Sequence, residues 1–366
     1  MKKHLFVKAA GMVGMAVILI CVSSCLRKKS IFPHEVCEFS FNESDRTITG
    51  VPTGLQYEGF IEESILIDSL LICQVEEPEG YVNVYRLKDL SLKATLCPLG
   101  RSRNEFHEPL ELRTQYYKKG GDTYILVVDK MNIIKEINLT QSLAQGTTVV
   151  TDMADTPSFY QNKEVLYIDN DIRQLFMSDC MEQSAFEEYG VQYRTVDMVK
   201  KDTVQLHLLS KPMKKDEESV TYYSYGPVIK HPQKNLFAQP CSYMDYVIFF
   251  DIDNDKIFAA HREGKPTFDD LAPDGRSLIF SRFACVSDDY LFTEYLKDED
   301  GQEREKFLLV FDWAGNLKAS ARFGNDVFSF VYDEKQNVLY GWNDFRPEEK
   351  PYQELYKFDL NGILEK

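Results

Sequence analysis

The stretch YVIFFDIDNDKIFAA, residues 246–260, decides the fold. Tyr246 to Phe250 is a run of aromatic and β-branched residues, types that suit a pleated, half-buried surface. Asp251 to Lys256 is polar, and Asp and Asn tolerate tight-turn dihedrals. Ile257 to Ala260 is apolar again. The pattern predicts strand, turn, strand. The unit returns as VYRLKDLSLKA (84–94), IIKEINLTQSLA (133–144), LLVFDWAGNLKAS (308–320) and LYKFDLNGILEK (355–366). A weaker copy, QYRTVDMVKKDTVQL, lies at 192–206. Anchored on Leu87, Ile137, Val196, Phe250, Phe311 and Phe358, the spacings are 50, 59, 54, 61 and 47 residues.

Six units of about fifty residues, each ending in a hairpin, predict an all-β chain folded as a six-bladed β-propeller of four-stranded blades. One unit buries little alone; neighbours around a ring bury both faces of every blade and leave only short edges. The last unit stops at NGILEK, before a complete outer strand. The alternating segment FSFNESDRTIT, residues 39–49, is therefore expected to supply that strand and close the ring. The propeller domain is placed at 39–366, after a leader at 1–24 and a tether at 25–38.

The leader rests on Lys2, Lys3 and Lys8, an apolar run from Ala9 to about Cys21, and small residues before a cut. The run is short for a membrane span, which needs about 20 residues. Val22-Ser23-Ser24-Cys25 resembles a bacterial lipobox, which implies cleavage before Cys25 and acylation of that cysteine. Each buried methylene of such an anchor contributes about 0.8 kcal/mol. Leu26 in place of Asp, by the same resemblance, implies an outer-membrane protein facing the periplasm, with the cell surface as the alternative.

The chain holds 42 basic and 58 acidic residues, a net charge of −16. Loss of three leader lysines would bring it to about −19. Such a surface repels nucleic acid, which excludes that class of partner. Beyond the leader and Cys25, Cys37, Cys73, Cys97, Cys180, Cys241 and Cys285 show no CxxC or zinc spacing. They are expected to be buried thiols, packed as small hydrophobes.

A polar cluster, CPLGRSRNEFHEPL at 97–110, follows the first hairpin. Gly100, Arg101, Glu105 and Phe106 resemble the Gly-Arg-Gly-Pro-Gly-Glu-Phe motif of six-bladed, TolB-like propeller lipoproteins, a motif related to one in NHL repeats. Ser102, Arg103 and Asn104 replace its Gly-Pro-Gly centre. The resemblance supports the propeller and implies an interblade connection. Gly100 then makes the turn, Phe106 wedges between blades, Glu105 bonds within the loop, and Pro109 starts the next inner strand. Arg101, Arg103 and His107 form a candidate ligand-facing loop, since an arginine fork suits a carboxylate.

Several enzymes are excluded. There is no Gly-x-Ser-x-Gly elbow, no HExxH, no P-loop and no GxGxxG. DIDNDK (251–256) and DEDGQE (298–303) lack the twelfth-position Glu of an EF-hand and read as hairpin turns. Glu62, Asp169, Asp245, Glu294 and Asp344 sit near inner strands and could converge on a channel calcium, the one cofactor the sequence admits. The expected function is therefore a lipid-anchored envelope module that binds or scaffolds a protein or glycan. The alternative is a calcium-assisted hydrolase or lactonase.

Overall fold

The computed structural model describes residues 30–42, 46–77, 79–107, 111–129, 133–155, 165–167, 174–179, 190–200, 202–211, 226–270, 279–297, 305–344 and 351–364. Cys25, Pro109, Asp169, Cys180 and the run at 298–303 lie outside them.

The fold is an all-β propeller with four-stranded blades. Three strands open the chain: β1 (Glu35–Phe39), β2 (Thr47–Ile48) and β3 (Val51–Tyr57). The first sheet follows with β4 (Ser64–Ile67), β5 (Leu70–Gln74), β6 (Val82–Arg86) and β7 (Leu92–Leu96). The second has β8 (Glu111–Lys119), β9 (Asp122–Asp129), β10 (Ile133–Asn138) and, after helix α1 (Leu139–Gln145), β11 (Val150–Asp155). The third is β12 (Val165–Tyr167), β13 (Gln174–Asp179), β14 (Gln192–Asp197) and β15 (Asp202–Leu208). The fourth is β16 (Ile229–Lys230), β17 (Leu236–Pro240), β18 (Tyr246–Asp251) and β19 (Lys256–Arg262). The fifth is β20 (Phe280–Val286), β21 (Tyr290–Lys297), β22 (Glu305–Asp312) and β23 (Leu317–Phe323). The sixth joins β24 (Ser329–Asp333), β25 (Val338–Trp342) and β26 (Gln353–Asp359) to β3.

The hairpin at 246–260 forms in the expected register, with Phe250 opposite Ile257 and Asp251 opposite Lys256. Asp251 makes the turn by accepting the Asn254 backbone N–H at 3.1 Å, and Asp255 adopts the left-handed region at φ 49°. The repeat unit at 133–144 departs from expectation. After β10 it becomes α1, because the Asn138 side chain caps the Gln141 N–H and Gly146, at φ 69°, ends the turn. The fourth strand comes later, as β11.

The N-terminal expectation needs correcting in two places. Residues 39–49 do not complete the last sheet; β3 does, pairing Tyr57 with Gln353 and Val51 with Lys357. Instead β1 and β2 add parallel fifth strands to the fourth and fifth sheets, Glu35 beside Phe258 and Thr47 beside Arg322. The tether boundary also moves. Phe32 is buried against Phe268 and Tyr246, so packed residues include part of the expected tether, before residue 39. An aromatic ring gains too much by burial there to be left in water.

Apolar clusters fill the spaces between neighbouring sheets. Tyr193 of the third meets Phe250 of the fourth; Phe249 and Phe311 join the fourth and fifth. Phe292 meets Tyr332 between the fifth and sixth, and Trp342 lies with Leu71 and Tyr85 between the sixth and first. The Trp342 indole also donates to the Ser64 hydroxyl at 3.1 Å. Ile72, Leu96 and Phe106 pack with Leu112 and Ile125 between the first and second.

Candidate functional site

The first strands of the sheets approach one another, and five of them (β4, β8, β16, β20 and β24) end around a cavity of about 240 Å³. Its wall carries Ser64 and Asp68, Gln115 and Tyr116, Lys230 to Gln233, Cys285 to Asp288, and Val331 to Lys335. Short strands place these groups. β16 spans only Ile229–Lys230, so Lys230 stands at the point where the chain turns away.

His231 organises that turn. Its Nδ1 accepts the backbone N–H of Gln233 at 2.9 Å and of Lys234 at 3.2 Å, which places the ring proton on Nε2. The ring is buried and lies 4.8 Å from Trp313. Burial, aided by the Lys234 charge, pushes its pKa down to about 4, so the imidazole is neutral at pH 7. Nε2 is left without hydrogen-bond geometry to any partner among the described residues; the Asp288 backbone nearby pulls the pKa slightly the other way.

Lys230 is largely buried, and its Nζ donates to the His231 carbonyl at 3.1 Å. Among the described residues no carboxylate pairs with it. Burial lowers its pKa to about 8, and only the charge of Asp253 opposes that shift. Around it the mouth is acidic. Asp288 and Glu334 are exposed there, Asp333 holds its own turn through the Lys335 N–H at 3.0 Å, and Asp68 pairs with Lys118 at 2.7 Å.

The candidate ligand-facing loop lies elsewhere. Arg101, Arg103 and His107 are exposed between β7 and β8, at the opposite ends of the strands, and none lines the cavity. The rest of the motif is a clip. Gly100 N–H donates to the Phe106 carbonyl at 2.8 Å, and the Glu105 carboxylate accepts the Ser102 N–H at 2.8 Å. That backbone bond holds the Glu105 carboxyl below the usual range. A Cβ at Gly100 would lie 2.0 Å from Glu105 Oε2. Phe106 is fully buried. The sequence did not mark its partner: buried Lys135 of β10 sits 4.0 Å from the Phe106 ring centre, donates to the Glu105 carbonyl at 2.6 Å and pairs with Asp129 at 3.1 Å.

Two of the five expected channel acids, Glu294 and Asp344, come together around the ammonium of a lysine. Lys306 Nζ lies 3.7 Å from Glu294, 3.6 Å from Asp344 and 2.6 Å from Asp326. Burial alone would lower the Lys306 pKa; the three carboxylates outweigh it and raise it. Burial of Glu294 pushes its own pKa up to about 7. Glu62 instead accepts from the Gln74 amide, and Asp245 accepts the Tyr295 hydroxyl at 2.9 Å. Among the described residues no group of three or more His, Cys, Asp or Glu could hold a metal ion. Sequence reasoning missed Lys230 because its strand is two residues long and has no period to read.

No protein-family model and no curated protein matches the chain. A solved structure of a candidate exported protein from Bacteroides fragilis NCTC 9343 matches with a TM-score of 0.54 at 9% identity, over 88% of this chain and 98% of its own. A luciferin-regenerating enzyme matches at 0.46 and 8% identity, over 88% and 98%. Hydrazine synthase of Kuenenia stuttgartiensis matches at 0.38 and 13%, over 82% and 75%. The first shows a shared propeller fold and nothing finer; the others carry no argument. No helix among the described residues is long and apolar enough to cross a membrane.

Proposed function

We propose that the chain is an exported binding protein of the cell envelope, anchored through Cys25 to the outer membrane on its periplasmic side, with its six sheets as six blades of one ring closed by β3. Its ligand is the end of a glycan seated in the central cavity. The wall of that cavity carries the reading. Tyr116 and Tyr332 line it with aromatic side chains, beside Gln115, Gln233 and Ser287, which carry hydrogen-bonding groups. A sugar presents the matching pair of surfaces, C–H faces and hydroxyls. The cavity is large enough for a chain end and too narrow for a folded partner.

Isothermal titration of neutral and acidic mono- and disaccharides into the protein tests the site. The expected result is saturable binding that Tyr116→Ala weakens at least tenfold while Tm stays within a few degrees. A wild-type protein that binds no sugar overturns the glycan reading. Fractionation tests the anchor: Cys25→Ala should leave the membrane, and retention there sinks the lipobox.

A further inference from the structure

Lys230 is a lysine beside a cavity with no carboxylate partner among the described residues. One of its three N–H bonds goes to the His231 carbonyl. The other two have no partner among the described residues. A largely buried ammonium is costly unless it is paired and hydrogen-bonded. Nothing among the described residues relieves that cost. Asp253 acts only at a distance, and His231 is neutral and spends its Nδ1 on the turn. An occupant of the cavity that carries a negative group would supply that counter-charge.

The rim limits what that occupant can be. Asp68, Asp288, Asp333 and Glu334 surround the mouth, against Lys335 and the paired Lys118. A polyanion would meet repulsion at the mouth, whereas one negative group carried inward on a neutral body would not. We propose that the occupant carries a single carboxylate, received by the ammonium of Lys230, and is the uronic-acid end of a glycan. This rests on the glycan reading above. Lysine binds such a group as a point charge and leaves the sugar hydroxyls to Gln115, Gln233 and Ser287. His231 positions the lysine by fixing the turn and offering its carbonyl.

The test uses the full chain in detergent and three probes: a methyl glucuronide, the matched methyl glucoside and glucose 1-phosphate. The glucuronide should bind at least tenfold more tightly than the glucoside. Lys230→Gln should abolish that preference, and an unchanged Tm shows that the variant is folded. Lys230→Arg should keep part of it. Equal affinities in the wild type, or a preference that survives Lys230→Gln, overturns the carboxylate assignment and leaves the glycan reading standing. Tightest binding of the phosphate overturns it too, in favour of a phosphorylated ligand. Binding of none of the three overturns both readings.

Discussion

At the scale of single residues, Glu294 is the group most sensitive to pH. Its carboxyl is fully buried beside Lys306, and burial lifts its pKa from about 4.5 to about 7. The folded state therefore holds this proton more tightly than the unfolded chain does. The resulting stability is complete below about pH 4.5 and is lost as pH rises through 7. A gap of two to three units corresponds to about 3 to 4 kcal/mol at most. Glu294→Gln mimics the protonated form and leaves Lys306 its contact with Asp326 at 2.6 Å. Melting curves of the two proteins should coincide near pH 4.5 and separate towards pH 8, the variant being the more stable. Parallel curves across that range would show that Glu294 is ionised in the fold throughout. The clip at Gly100 shows what a sequence can say at this scale. Gly100, Glu105 and Phe106 were legible as structural, because glycine, an acid and a large apolar ring in a connector have few other uses. Lys135 was not, since a lysine inside a strand reads as solvent-facing until its neighbours are known.

At the scale of elements, the chain start divides into strands of unequal weight. β1 and β2 lie outside complete four-stranded sheets, whereas β3 is the fourth strand of the sixth. Gly50 leads into it with Phe358 packed closely: a Cβ there would lie 2.6 Å from the Phe358 ring. Removing the chain through Thr49 should lower the denaturation midpoint yet keep one cooperative transition. Removing it through Tyr57 should abolish that transition, because β26 then keeps only β25 as a partner and Phe358 and Leu355 lose cover. Urea unfolding followed by fluorescence separates the two, and identical curves would refute the division. The strands and their period were readable because alternation and turn residues are local. The exact closing strand was not, since FSFNESDRTIT and VPTGLQY both alternate, and only the space left beside β26 chooses between them. The helix after β10 was hidden for a similar reason: Asn138 and Gly146 are capping residues and turn residues alike.

At the scale of the whole molecule, the core is held without crosslinks among the described cysteines. Cys37, Cys73, Cys97, Cys241 and Cys285 are free, and all but Cys37 are buried. Burial raises the thiol pKa of Cys73 to about 12 and lifts those of Cys97, Cys241 and Cys285 as well. A thiol reagent at pH 8 should therefore modify at most Cys37 of these five quickly, and the other four only after denaturant is added. Rapid labelling of all five in the native protein would mean a core far looser than this packing. The all-β propeller was legible, because strand-turn-strand units recurring at a near-constant interval leave few alternatives. The candidate site was not, since it is made by residues of five strands that meet only once the sheets are arranged around a centre.

The pairing of β1, β2 and β3 has a bearing on how the protein comes into being. A ribosome makes these strands first and their partners late. Glu35 awaits Phe258, Thr47 awaits Arg322, and Tyr57 awaits Gln353. Contacts so distant along the chain slow folding, because the intervening loop must close before they are rewarded. A fragment released before those partners are made cannot settle its own beginning: the sheets between can pair locally, while β1, β2 and β3 wait for strands at the far end of the chain.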